Sequence, residues 1–251
     1  DVARLYEDAA TTPDNLLLFF HHVPYTDKLH DGSTVIQYIY DSHYAGAAQA
    51  AEFVQDWASL KGRIDDGLYA DVLGRLEYQA GHAIVWRDAV TQYFLKLSGI
   101  PDERGRAGHY PHRMEAEDAR LTGYSIIDVN PWEDASQGKA VSCAGPQSCA
   151  AEWTYAGHAG TYDIAVQYFD LPGGTAQFAC TINGKPAVTD STWKADATLP
   201  SQRPHGDNSM RHTVRNVALK PGDVLRVQGT PDGADAAALD YIEVLPQGSL
   251  P

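Results

Sequence analysis

The residues best suited to chemistry gather in a few short stretches. Leu17-Leu-Phe-Phe-His-His-Val-Pro-Tyr25 ends an apolar run in two histidines, a proline and a tyrosine. Neighbouring residues on a helix point about 100° apart, so His21 and His22 cannot grip one metal from a single face. The run reads either as a segment delivering polar groups to a cleft or as hydrogen-bonded core histidines. Tyr38-Ile-Tyr-Asp-Ser-His-Tyr44 collects three tyrosines, an aspartate and a histidine. Aromatic rings beside carboxylates suit sugar faces, and the same pattern suits an amphipathic interface helix. Tyr78-Gln-Ala-Gly-His-Ala-Ile-Val-Trp-Arg87 has small residues at 80, 81 and 83 that permit close helix packing. His82 and Arg87 could then point into a groove, where an arginine clamps a carboxylate, or Arg87 could serve a structural salt bridge. No stretch supplies a Ser-His-Asp order, a P-loop, a Rossmann glycine run or a His-Glu-x-x-His helix.

Two kinds of periodicity must position these groups. Up to about residue 105 apolar residues recur at helical spacing; beyond it they alternate, with turn residues at short intervals. Thr12-Pro13 is a helix start, and Pro24 stops the turns begun at Leu16. A second helix is expected from Ser33 through Tyr44, with Gly46 as a hinge. A third carries Ala50, Phe53, Val54, Trp57 and Leu60 on one stripe and ends before Gly62. The fourth and longest carries Leu68, Val72, Leu76, Ala80, Ala83, Val90, Phe94 and Leu97, and stops at Gly99 and Pro101. Asp102–Tyr110 is polar and aperiodic, a linker. Strands are expected over 161–169, 176–182, 213–219, 224–229 and 239–245, with Asn183-Gly184 as a tight hairpin turn. The expected class is thus α+β multidomain. An all-α helical domain (1–108) precedes an antiparallel β-sandwich of jelly-roll type (109–251).

The 251 residues fit one large domain or two smaller ones. With 19 Lys plus Arg against 33 Asp plus Glu, the formal net charge of −14 repels phosphate backbones and argues against a nucleic-acid partner. No window approaches the length of apolar sequence that spans a membrane as a helix. The three cysteines leave Cys143 free to pair with Cys149 or with Cys180, and none stands in a C-x-x-C pattern. The chain opens at Asp1 in what reads as the middle of a helix, the expected look of a fragment or processed product.

On the stretches 17–25 and 34–44, on Leu76-Glu-Tyr-Gln-Ala-Gly-His-Ala-Ile-Val-Trp-Arg-Asp88, and on Ser98-Gly-Ile-Pro-Asp-Glu103, residues 1–108 resemble the C-terminal helical domain of glycoside hydrolase family 67. The resemblance implies α-glucuronidases that remove 4-O-methyl-glucuronic acid from xylan fragments with inversion. In them a carboxylic acid protonates the leaving oxygen and a carboxylate activates water. Those carboxylates lie on a (β/α)₈ barrel for which this chain has no residues, so no catalytic residue is assigned and the chain alone is expected to be inactive. The helical domain would pack against that barrel, close one side of its site and contribute to homodimer contacts. His21, His22 and Tyr25 are the candidates for lining that edge. An extracellular location follows from the same resemblance.

The second half resembles carbohydrate-binding modules of the family 6 and family 35 kind. The resemblance rests on Met114-Glu-Ala-Glu-Asp-Ala119, Gly160-Thr-Tyr-Asp-Ile-Ala-Val-Gln-Tyr168, Leu219-Lys-Pro-Gly-Asp223 and Leu239-Asp-Tyr-Ile-Glu-Val244. It implies that the first and last strands lie side by side and that Glu115, Glu117 and Asp240 share a structural Ca²⁺, a hard cation that takes oxygen ligands. Trp132, Trp193 and Asn208 are loop candidates for binding glucuronoxylan or its oligosaccharides. The stretch Val129-Asn-Pro-Trp-Glu-Asp-Ala-Ser136 departs from the usual pattern, which leaves a purely structural sandwich as another reading. Rival readings of the whole chain are a stand-alone, non-catalytic glucuronoxylan-binding module and an assembly element built on the long helix.

Overall fold

The computed structural model describes residues 32–98, 110–130, 134–143, 145–197, 199 and 201–248, with the side chains of 32–44 and 90–98 outside the description. The chain divides into two compact units, Asp1–Tyr110 and Pro111–Leu250.

The first unit holds helices α1 (Gly32–Ala58) and α2 (Asp66–Ser98). α1 continues unbroken through Gly46, so the expected second and third helices are one. Ala47, Ala50 and Val54 of α1 pack on Ala80, Ala83 and Ile84 of α2, with Leu73 and Leu76 beside them. Small residues on both helices let the backbones approach and still close an apolar seam. Two members of the expected stripes stay outside it, since Phe53 and Leu68 are 43% and 53% exposed. The connection reverses through Gly62, which takes the left-handed φ of +73°. Asp65 starts α2 by accepting the Leu68 N–H at 2.9 Å, an N-terminal cap. No helix among the described residues is long and apolar enough to cross a membrane.

The second unit is a β-sandwich of two six-stranded antiparallel sheets. Its strands are β1 (Arg113–Glu115), β2 (Arg120–Thr122), β3 (Tyr124–Asp128), β4 (Lys139–Cys143), β5 (Cys149–Thr154), β6 (Gly160–Phe169), β7 (Gln177–Ile182), β8 (Lys185–Pro186), β9 (Thr192–Lys194), β10 (Ser209–Leu219), β11 (Val224–Thr230) and β12 (Leu239–Pro246). One sheet runs β10-β6-β12-β4-β3, with β1 also on β12; the other runs β2-β5-β11-β7-β8, with β9 also on β7. Alternating apolar residues of β6 and β7 meet between the sheets, where the Tyr168 and Phe178 ring centroids lie 4.8 Å apart. Asn183 and Gly184 both take positive φ, 51° and 76°, between the paired residues Ile182 and Lys185. That is the two-residue turn expected of Asn-Gly. Of the two cysteine pairings, Cys143–Cys149 is the disulfide. It ties the end of β4 to the start of β5, one in each sheet. Cys180 is free and buried, and burial pushes its thiol up to about 12.

Candidate functional site

Strand β12 has β6 on one side and two partners on the other. β1 pairs from Glu115↔Tyr241 to Arg113↔Glu243, and β4 pairs only at Leu239↔Val141. Asp240 falls in the gap between them, at a shift in the register of β12 against β6. The first and last strands therefore do lie side by side, and a bulge aims an acid into their seam. The Ala116 N–H donates to Asp240 O at 2.9 Å, locking the turn after β1 to this point.

A short 3₁₀ turn, Ser136–Gly138, covers the gap. Its Gln137 takes a left-handed φ of 54°. The Ser136 N–H donates to both carboxylate oxygens of Asp240, at 3.1 and 3.2 Å. Its hydroxyl donates to Glu115 Oε1 at 2.7 Å. Glu115 Oε2 and Glu117 Oε2 are buried with no hydrogen-bond partner among the described residues. Burial, then the Glu115 charge, drives the Asp240 carboxyl well above the usual range; Arg113 and the Ser136 N–H oppose this. Burial also raises Glu115 and Glu117, with Glu117 acting on Glu115 and Asp118 on Glu117. Three crowded acids with two orphan oxygens fit the hard-oxygen chemistry of a calcium site. Among the described residues no three His, Cys, Asp or Glu side chains close into a metal cage. A cation here would therefore draw on backbone carbonyls or water as well.

Next to the seam lies an ion network that sequence reasoning missed. Arg113 donates through Nε and Nη2 to Glu243 Oε1, at 3.0 and 2.9 Å, and lies 3.7 Å above the Tyr241 ring centroid. Arg211 pairs with Glu243 Oε2 from the other side, and Gln167 is within 3.4 Å of Arg211. Once β1 and β12 are expected side by side, the residue before Met114 and the one after Ile242 become neighbours. That was the available signal.

The glycan candidates fare differently. Trp193 is on β9 rather than in a loop. Its ring stacks on Phe178 at 5.4 Å and on His212 at 4.3 Å, filling the edge of the core between the sheets. The ring is half-buried, with Phe178 and His212 as its stacked neighbours. Asn208 is fully buried and has its amide committed: Nδ2 donates to Ser201 O and Arg203 O, and Oδ1 accepts the His205 N–H. It shapes its own loop rather than standing open on it. Trp132, His21, His22 and Tyr25 lie outside the described residues. His82 and Arg87 are buried in the helical unit, and Arg87 pairs with Asp88 at 2.8 Å, the salt bridge of the two readings.

A helical unit ahead of an antiparallel sandwich is the class the coordinates define. Residues 1–107 match the family model described as the glycosyl hydrolase family 67 C-terminus. The likeness continues through the sandwich. The chain is 45% identical over 250 residues to a probable alpha-glucuronidase A of Aspergillus flavus, covering 98% of this chain and 30% of that protein. It is 46% identical over 252 residues to the Aspergillus clavatus protein of the same name, covering 99% and 30%. The chain thus spans about 30% of the length of the curated relatives it matches. Among solved structures, a family 35 carbohydrate binding module from Clostridium thermocellum overlaps 53% of this chain and 98% of its own. Its TM-score is 0.42 at 17% identity. The CBM35 from Paenibacillus barcinonensis gives 0.41 at 19%, covering 54% and 98%. These overlaps are too loose to carry an argument.

Proposed function

We propose that this chain is the C-terminal part of a xylan α-glucuronidase, which releases 4-O-methyl-glucuronic acid from xylan and xylo-oligosaccharides. The observation that carries the reading is identity of 45% across 98% of the chain, through both units, to a probable alpha-glucuronidase A. The helical unit supports and closes a catalytic barrel outside these residues and contributes to a homodimer. The acid and base of the reaction belong to that barrel, and no residue here takes their place. Glu115, Glu117 and Asp240 hold a structural Ca²⁺ that neutralises the seam of β1 and β12 and supplies no chemistry to the reaction. The protein works outside the cell, a reading supported by the Cys143–Cys149 disulfide, since such bonds persist in oxidising compartments.

The test is to assay the isolated chain on an aldouronic acid, expecting no release of the uronic acid. Turnover at enzyme-like rates would overturn the assignment of the chemistry to another domain. The second reading, a stand-alone glucuronoxylan-binding module, is favoured by the sandwich architecture itself. Affinity electrophoresis in glucuronoxylan decides it: retardation lost in Trp132→Ala supports a binding module, and unretarded migration removes it.

A further inference from the structure

Away from the β1–β12 seam, three stretches of chain meet on two buried aspartates. Asp170 follows β6, and Asp235 precedes β12; they are 1% and 0% exposed. Asp235 collects three backbone N–H groups: Ala176 on Oδ2 at 3.1 Å, Ala237 on Oδ1 at 3.0 Å, and Leu171. Asp170 accepts the Ala197 N–H on Oδ2 at 2.9 Å, and its own N–H donates to Asn208 O at 2.9 Å. Its Oδ1 is buried with no hydrogen-bond partner among the described residues. The loops 170–176 and 231–238 run backbone against backbone. The Ala234 N–H donates to Gly173 O at 3.0 Å, and a Cβ on Gly174 would fall 1.7 Å from Asp232 O. The charges acting on the pair are all acidic: Asp235 and Asp196 on Asp170, and Asp232 on Asp235. The phenol of Tyr124, on β3, is the other titratable neighbour of Asp235.

Two buried carboxylates without a facing cation do not both ionise cheaply. We propose that Asp170 and Asp235 form a proton-dependent latch. With one of the two protonated, the loops 170–176 and 231–238 and the chain at Ala197 are held together; release of that proton to solvent loosens them. The unpartnered Oδ1 of Asp170 is the seat for the proton, because Oδ2 already serves Ala197. Burial first, and then the neighbouring acids, push each carboxyl from 3.8 up to about 6. A folded value above the unfolded one favours the fold fully below pH 3.8, and the advantage is lost as pH rises through 6.

Amide hydrogen exchange on the whole 251-residue chain tests this, followed from pH 5 to pH 8 and corrected for intrinsic exchange. Protection at Ala176, Ala197 and Ala237 is expected to fall tenfold or more across pH 6, one pKa unit being a factor of about ten. Val166 and Ile242, inside paired strands, serve as the steady reference. In Asp170→Asn the three amides should lose this pH response. A flat wild-type profile, or the same slope in Asp170→Asn, overturns the latch. Should that variant not fold, carboxyl-carbon NMR of the wild type decides: titration of Asp170 near 6 supports the proposal and titration near 4 overturns it.

Discussion

β12 carries two buried acids three residues apart in opposite electrostatic company. Glu243 lies between the guanidiniums of Arg113 and Arg211. Asp240 has Glu115 and Glu117 as neighbouring acids, relieved only by Arg113 and the Ser136 N–H, and its carboxyl is driven well above the usual range. Both are buried, at 5% and 0% exposure. Burial therefore does not decide what an acid does in this sandwich; the charge placed opposite does. A paired acid cements strands, whereas an unpaired one leaves a demand that a proton or a cation can meet.

The sharpest challenge to this contrast is Glu243→Gln. It leaves two buried guanidiniums without their carboxylate, and losing one partner of a buried pair costs about 3–5 kcal/mol. For a unit of this size the melting temperature should fall by about 10–17 °C, followed by circular dichroism. A drop of a degree or two would mean the pairing does little.

The Asp240 side of the contrast predicts gain rather than loss. Calcium at about 100 times its dissociation constant should stabilise the fold by about 2.7 kcal/mol, and a chelator should reverse it. Asp240→Asn should abolish the response. A melt indifferent to calcium and chelator would leave protons as the seam's only remedy.

Asp170 belongs with Asp240: no guanidinium among the described residues is hydrogen-bonded to it, and a backbone N–H holds it in place. Asp170→Asn should raise the melting temperature at pH 7.5 and lose that benefit at pH 4. The rise from 3.8 to about 6 sets a ceiling of about 3 kcal/mol, at about 1.4 kcal/mol per unit. Melts at the two pH values check the sign: a variant less stable than wild type at pH 7.5 would show that the amide contact outweighs the buried charge.

How far these roles were legible differs residue by residue. Asn183-Gly184 announces its turn because few residue pairs tolerate two positive φ values, and the alternation of 161–169 announces β6. That Glu115 and Asp240 lie close together follows from the pairing of the first and last strands, which the resemblance implied. Asp235 was not legible: Pro231-Asp-Gly-Ala-Asp235 reads as a solvated turn, and only the packing of the loop after β6 buries it. Trp193 and Asn208 were expected on ligand-facing loops, and the structure puts one on a strand and the other against its own chain. An indole and an amide look alike in sequence whether they face a ligand or their own chain. Gly46 misled because an isolated glycine weakens a helix by about 1 kcal/mol, which packing against α2 readily offsets.

The smallest predicted effect comes from a near-copy of the Glu243 arrangement whose arginines reach solvent, although the Glu152 side chain is only 11% exposed. Glu152 on β5 sits between Arg120 of β2 and Arg226 of β11, across paired positions of the second sheet. Hydrogen bonding to Arg226, and then to Arg120, holds its carboxyl below the usual range. The chemistry is that of Glu243, but the Arg120 side chain is 78% exposed and that of Arg226 34%. Solvent screens such pairs, so Glu152→Gln should cost well under 1 kcal/mol, and less still in high salt. If it destabilises as much as Glu243→Gln does in matched melts, burial adds nothing to a guanidinium-clamped acid. Desolvation would then have to be dropped as what makes a missing partner costly at Asp240 and Asp170.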